Sequence, residues 1–142
     1  MPDGREDLYL SDGTGGYTSP YHVYNELIQV DTHHFELRFS SGTTYVYNNL
    51  IGGKIFLSQI RDAYGQSLNF TYDANDHLTG ITDALGQTTT LTYNSDDLVV
   101  LITDPFGRTA QFAYDVDRNL IQATDMGGYS TSLEYDSDSD LS

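Results

Sequence analysis

Asp83-Ala84-Leu85-Gly86-Gln87-Thr88-Thr89-Thr90-Leu91-Thr92-Tyr93-Asn94 is the stretch that decides the fold, because its landmarks recur every 21 residues. Asp62, Asp83, Asp104 and Asp125 are each followed three residues later by a glycine: Gly65, Gly86, Gly107 and Gly128. Seven residues further on stand Tyr72, Tyr93, Tyr114 and Tyr135, each preceded at two positions by Phe70, Leu91, Phe112 or Leu133. Each tyrosine is followed by Asp73, Asn94, Asp115 or Asp136, and six residues after it by Leu78, Val99, Leu120 or Leu141. Self-similarity at one fixed period marks a repeat architecture.

The period has a physical content. Asp-x-x-Gly is turn chemistry: the carboxylate accepts from the backbone just after it, and glycine supplies the positive φ that closes a type I turn through a bulge. The run that follows alternates. In Gln66-Ser67-Leu68-Asn69-Phe70-Thr71-Tyr72, the residues Leu68, Phe70 and Tyr72 share one face of a strand. A second turn, Asp73-Ala74-Asn75-Asp76 in the first copy, leads into a short strand from Leu78 to Thr82. Each repeat is two strands and two turns, and neighbouring copies complete one another's core. The Leu78 and Ile81 columns lie three apart, which implies a bulge or a strand start.

Working outward, the composition fits a thin structure. Only 38 % of the 142 residues are apolar, and twelve Tyr and six Phe carry much of the burial. With 21 acidic against 6 basic side chains, a net charge of −15 repels nucleic-acid phosphates and anionic membrane surfaces. There is no cysteine, so disulfide and thiol chemistry are excluded. Met1-Pro2-Asp3-Gly4-Arg5-Glu6-Asp7 is polar and shows no signal peptide, and no apolar run is long enough to insert in a membrane.

At these residues the chain resembles the YD/Rhs repeat family, which includes bacterial Rhs proteins, insecticidal Tc toxin subunits and the teneurins. The likeness covers residues 62–142, again clear in Asp104-Pro105-Phe106-Gly107-Arg108 leading to Tyr114-Asp115. The preceding segment is similar to the lead-in of such arrays. Phe35-Glu36-Leu37-Arg38-Phe39 and Thr43-Thr44-Tyr45-Val46-Tyr47 flank Ser41-Gly42 as a hairpin, and residues 54–61 supply the strand before the first Asp-x-x-Gly. The resemblance implies β-strips that spiral into hollow shells enclosing a toxin, or rigid extracellular bodies. Two departures stand out. About four repeats cannot close a shell alone. The second turn also lacks the family's glycine, having Asp76, Asp97, Arg118 and Ser139 there, which strains it by roughly 1 kcal/mol.

Candidate sites are few. Asp104-Pro105-Phe106-Gly107 resembles the family's self-cleaving Asp-Pro-x-Gly element, but it stands in phase with the other turns and reads as one of them. Carboxylates cluster on the second turns: Asp73 and Asp76, Asp96 and Asp97, Asp115 and Asp117, and Asp136, Asp138 and Asp140. Capping of the turns is their ordinary role; the sharper reading is stacked Ca²⁺ sites, although none matches a full calcium loop. His33 and His34 are adjacent and point to opposite faces of a strand, so with His22 and His77 they make no zinc site. Asn69-Phe70-Thr71 is a glycosylation sequon. Gly13-Thr14-Gly15-Gly16 reads as linker, and no catalytic constellation appears.

The expected fold is all-β, a strip of stacked antiparallel β-hairpins with little or no helix. Residues 1–16 form an extended arm, 17–61 a lead-in hairpin region, and 62–142 the array, whose last repeat is incomplete. The turn residues and the Phe/Leu and Tyr columns named above are structural; no cofactor is expected, Ca²⁺ being the exception to test. The expected function is structural and non-catalytic: part of an Rhs-like shell, or a homo-oligomeric extracellular assembly or filament joined through open strand edges. The alternative is a carbohydrate- or calcium-dependent binding module using exposed Tyr and Asp ladders.

Overall fold

The computed structural model describes residues 6–135. Asp136, Asp138, Ser139, Asp140 and Leu141, and with them the close of the last repeat, lie outside the described residues. Contacts divide the chain into two compact units, Met1–Asp76 and His77–Ser142. The division falls inside the first repeat, after its second turn, and not at Asp62 where the repeats begin.

Local chemistry makes every described element a strand. In the first unit these are β1 (Leu10–Ser11), β2 (Tyr17–Thr18), β3 (Glu26–Asp31), β4 (His34–Arg38), β5 (Thr44–Ile51), β6 (Lys54–Arg61) and β7 (Ser67–Tyr72). Strands β3 to β7 form an antiparallel meander in chain order. Residues 10–18, expected to belong in part to an extended arm, fold back as the β1–β2 hairpin. The second unit is a meander of β8 (Leu78–Thr82), β9 (Thr88–Tyr93), β10 (Val99–Thr103), β11 (Thr109–Tyr114), β12 (Leu120–Thr124) and β13 (Ser130–Ser132). Among the described residues there is no helix, as the period-2 alternation requires.

Register fixes which side chains share a face. In the first unit Leu27 lies opposite Leu37, Leu37 opposite Tyr45, and Phe35 opposite Tyr47. This face is apolar and aromatic, with Phe39 and Tyr45 ring centroids 4.8 Å apart and Tyr17 edge-on to Phe35 at 6.2 Å. The reverse face sets polar groups around Ile28 and Val46: Glu36 lies opposite both, accepts from Arg38 Nη2 at 2.7 Å and lies 3.6 Å from Arg61, and Gln59 Nε2 donates to Asn69 Oδ1 at 2.9 Å. The second unit follows the same rule with no charged residue in any of its strands. Leu91 lies opposite Ile102, and Ile102 opposite Ala110; on the other face Thr82 lies opposite Thr88, their hydroxyls 2.8 Å apart.

The core is thin. Only Leu37 and Val46, 7 % and 6 % exposed, count as buried apolar side chains among the described residues. The three-residue interval between the Leu78 and Ile81 columns is explained one repeat later. Register shifts between Val99 and Leu101 where β10 meets β9, and again at Ala113/Tyr114 where β11 meets β12. One extra residue per bulge breaks alternation and keeps both apolar columns on one side.

Candidate functional site

Two sets of repeated residues position everything that is periodic in the chain: the turns and the tyrosines. In the first turn Asp62 N–H donates to Gln66 O at 2.9 Å, and Gly65 N–H to Asp62 O at 3.2 Å, with Gly65 at φ +85°. Asp62 Oδ1 accepts from Tyr64 N–H at 2.8 Å and Gln66 N–H at 2.9 Å. Asp83, Asp104 and Asp125 repeat this pattern with Gly86, Gly107 and Gly128. The sequence motif is therefore a closed loop in which one carboxylate oxygen satisfies two backbone donors.

The second turns have the same geometry without the glycine. Asn94 N–H donates to Leu98 O and Asp115 N–H to Asn119 O, with Asn94 Oδ1 and Asp115 Oδ1 each accepting two backbone N–H groups. Asp76, Asp97 and Arg118 occupy the left-handed position at φ +71°, +63° and +71°. The array is consequently a half-repeat of alternating 11- and 10-residue steps through Asp62, Asp73, Asp83, Asn94, Asp104, Asp115 and Asp125. The two halves differ at the left-handed position, one using glycine and the other not. Asp12-Gly13-Thr14-Gly15 is a further turn of the kind, overlapping the Gly13-Thr14-Gly15-Gly16 run read from sequence as linker. Asp12 Oδ1 accepts from Thr14 N–H and Gly16 N–H, Asp12 N–H closes on Gly16 O, and Gly15 lies at φ +95°.

Each column tyrosine makes one bond that sequence could not show. Tyr72, Tyr93, Tyr114 and Tyr135 donate their hydroxyls to the carbonyls of Leu57, Leu78, Val99 and Leu120, 15 residues earlier, at 2.9, 3.0, 2.9 and 2.9 Å. Tyr72 packs on Phe56 at 5.2 Å and Tyr93 stacks on His77 at 4.4 Å. The four rings are half-buried, so they do not present the exposed ladder expected of a sugar-stacking surface. The exposed tyrosines are others: Tyr21, Tyr24, Tyr64 and Tyr129. The partner column Phe70, Leu91, Phe112 and Leu133 is likewise half-buried.

The electrostatics follow from these bonds. For Asp104, 9 % exposed, burial alone would raise the pKa; the Arg108 backbone and guanidinium and the Phe106 N–H outweigh it and leave the value lowered. Asp115 is lowered by the Asn119 N–H first, against burial, and by the Asn119 side chain and Asp117 N–H. Asp12 is lowered mainly by the backbone and hydroxyl of Thr14. Burial raises Tyr47 and Tyr72.

The structure does not bring the candidate metal residues together. Asp73 Oδ1 caps Asn75 N–H, Asp115 Oδ1 caps Asp117 N–H and Asn119 N–H, Asp76 lies 3.5 Å from Lys54 Nζ, and Asp97 3.2 Å from His77 Nε2. Asp96 N–H donates to Asn94 Oδ1 at 3.0 Å, and its carbonyl accepts from Arg118 Nη2 at 2.6 Å. Among the described residues no group of three or more His, Asp or Glu converges on a point where a metal could sit. His34 lies 3.9 Å from Glu36, while His22 and His33 are exposed. Asn69, the sequon asparagine, is half-buried in β7, with its amide bonded to Gln59 and Ser67. Asp104-Pro105-Phe106-Gly107 is a turn in phase with the rest.

The family model described as RHS Repeat matches the chain twice, over residues 72–109 and 93–128, and both matches fall on these turns and tyrosines. No curated protein sequence matches the chain. Among the described residues, no helix is long and apolar enough to cross a membrane.

Proposed function

Since this chain belongs to the YD/Rhs repeat family, a family of structural and not catalytic repeats, we propose that it is completed through its open strand edges. It does so as part of an Rhs-like β-shell or as a self-associating extracellular assembly. Rhs repeat proteins are generally extracellular or surface-associated, which supports placing it outside the cell.

One observation carries the reading: the outer edge of β13. Asp125 N–H bonds Tyr129 O, and Leu133 N–H bonds Ile121 O, so residues 129, 131 and 133 face β12. By the alternation of an antiparallel pair, Ser130 and Ser132 aim their N–H and C=O groups away from it. All three β13 residues are exposed, and β12 is its one strand partner among the described residues. The outer edge of β3, by contrast, is partly covered, with Gln29 N–H donating to Gly15 O and a bridge from Gly16 to Ile28. An exposed strand edge is a template for another strand.

Ser132→Pro removes an outward N–H at an edge position that tolerates proline. Sedimentation of the full chain over a concentration series should show association that this variant loses. Equal association of variant and parent would refute strand addition at β13.

A further inference from the structure

The outer strands β3 and β13 differ in what lies beside them. The outer lane of β3 is already taken by the chain's own residues 10–19. An antiparallel bridge joins Gly16 to Ile28, and Gln29 N–H donates to Gly15 O at 3.4 Å. Ser19 Oγ donates to Asn25 O at 2.7 Å, and Tyr17 Oη to Gln29 Oε1 at 3.2 Å. The Tyr17 ring anchors the segment edge-on to Phe35. Neighbouring strands lie about 4.8 Å apart, so a segment bridged to Ile28 occupies the place another strand would need.

One turn holds this segment, in place of a long ladder. Asp12 Oδ1 accepts from Thr14 N–H at 2.7 Å, Thr14 Oγ1 at 2.9 Å and Gly16 N–H at 3.0 Å, and Asp12 N–H closes on Gly16 O at 3.0 Å. The carboxylate therefore fixes Gly15 and Gly16, the two residues that meet the β3 backbone. Both positions need glycine: Gly15 lies at φ +95°, and a side chain on Gly16 would run into the Asp12 carboxylate. Covering an edge strand is a common defence against pairing with another chain.

Among the described residues β13 has no such cover. Its sequence Ser130-Thr131-Ser132 carries no charge and reads the same in both directions. Two copies can therefore pair antiparallel with Thr131 opposite Thr131 and Ser130 opposite Ser132, which sets the outward N–H and C=O groups of each against the other. That contact is isologous and closes at two copies.

We propose that residues 10–19 guard the β3 edge, barring the β13 strand of a second copy from it and so holding self-association to a closed β13-to-β13 pair. The proposal rests on the self-association reading and limits it. A free β3 edge would accept β13 head to tail, a contact that does not close.

Sedimentation of the full chain over a concentration series tests it. Asp12→Ala removes the carboxylate that holds the turn, and Gly16→Val forces the turn apart. Neither residue lies in β3 to β7; circular dichroism checks that the sheet is kept, and the milder Asp12→Ala decides if Gly16→Val loses it. The parent should form nothing larger than a pair, whereas both variants should form species that keep growing with concentration. Ser132→Pro added to either variant should abolish that growth. Hydrogen exchange at the Gln29 amide reads the guard directly: it should be about tenfold faster in both variants, with the Leu37 amide unchanged. Variants no larger than the parent, or a Gln29 amide that exchanges no faster, overturn the proposal. So does growth that survives Ser132→Pro, or a parent that grows beyond a pair; if Ser132→Pro dissociates such a parent, strand addition at β13 survives without the guard. A monomeric parent whose variants associate refutes pairing at β13 and leaves the guard, and parent and variants monomeric alike overturn both.

Discussion

Replacing Tyr72, Tyr93 and Tyr114 together by phenylalanine should lower stability by about 3 kcal/mol. Each substitution removes one hydroxyl and leaves the ring, so the packing of Tyr72 on Phe56 and of Tyr93 on His77 survives. What is lost is one donor to a backbone carbonyl at 2.9–3.0 Å. A hydrogen bond of this kind contributes about 1 kcal/mol net, because the freed carbonyl of a half-buried site recovers only part of its solvation. The three sites are 21 residues apart and share none of these partners, so their effects should add. Against a typical domain stability of about 5–15 kcal/mol the triple variant is severely weakened. Guanidinium unfolding followed by circular dichroism measures the effect, with the three single variants run alongside to check additivity. Tyr114→Leu, which removes the ring as well, should cost more than Tyr114→Phe. A triple variant within about 0.5 kcal/mol of the parent would refute the reasoning, because water would then serve those carbonyls as well as the tyrosines do.

The turns and the two half-buried tyrosines Tyr47 and Tyr72 set the remaining outcomes. Arg118→Gly relieves a left-handed residue at φ +71° but also gives up the bond from Arg118 Nη2 to Asp96 O, so it should change stability by less than about 0.5 kcal/mol; Gly86→Ala at φ +81° should destabilise by about 1 kcal/mol, both read by denaturant midpoint. Asp12, Asp104 and Asp115 have lowered folded-state pKa values, so their contribution is present above the ordinary aspartate value of about 3.9 and is lost as pH falls through the folded values. Tyr47 and Tyr72 are raised, so theirs is present below about pH 10 and lost as pH climbs through the folded values; a melting temperature that stays level to either extreme would contradict this. Adding Ca²⁺ or a chelator should leave the melting temperature unchanged, since Asp73, Asp76, Asp97 and Asp115 already have partners within the chain; a rise with Ca²⁺ would restore the stacked-site reading.

Everything legible in the sequence was local. Asp62 to Gly65 and its three copies could be read as turns because a carboxylate and the N–H groups two and four residues on are neighbours whatever the rest of the chain does. Leu68, Phe70 and Tyr72 could be assigned to one face because alternation belongs to any strand. The lead-in hairpin around Ser41-Gly42 and the strand over residues 54–61 were visible for the same reasons. Tertiary structure decided the rest. The tyrosine hydroxyls end on carbonyls, which every residue has, so no side chain in the sequence marks the acceptor. The strain at Asp97 and Arg118 was legible from the missing family glycine, but the left-handed backbone is held there by pairing of the strands on either side. A cleft lined by Leu27, Phe35, Tyr47 and Ile55 draws on four strands, and only their lateral register brings those residues to one place.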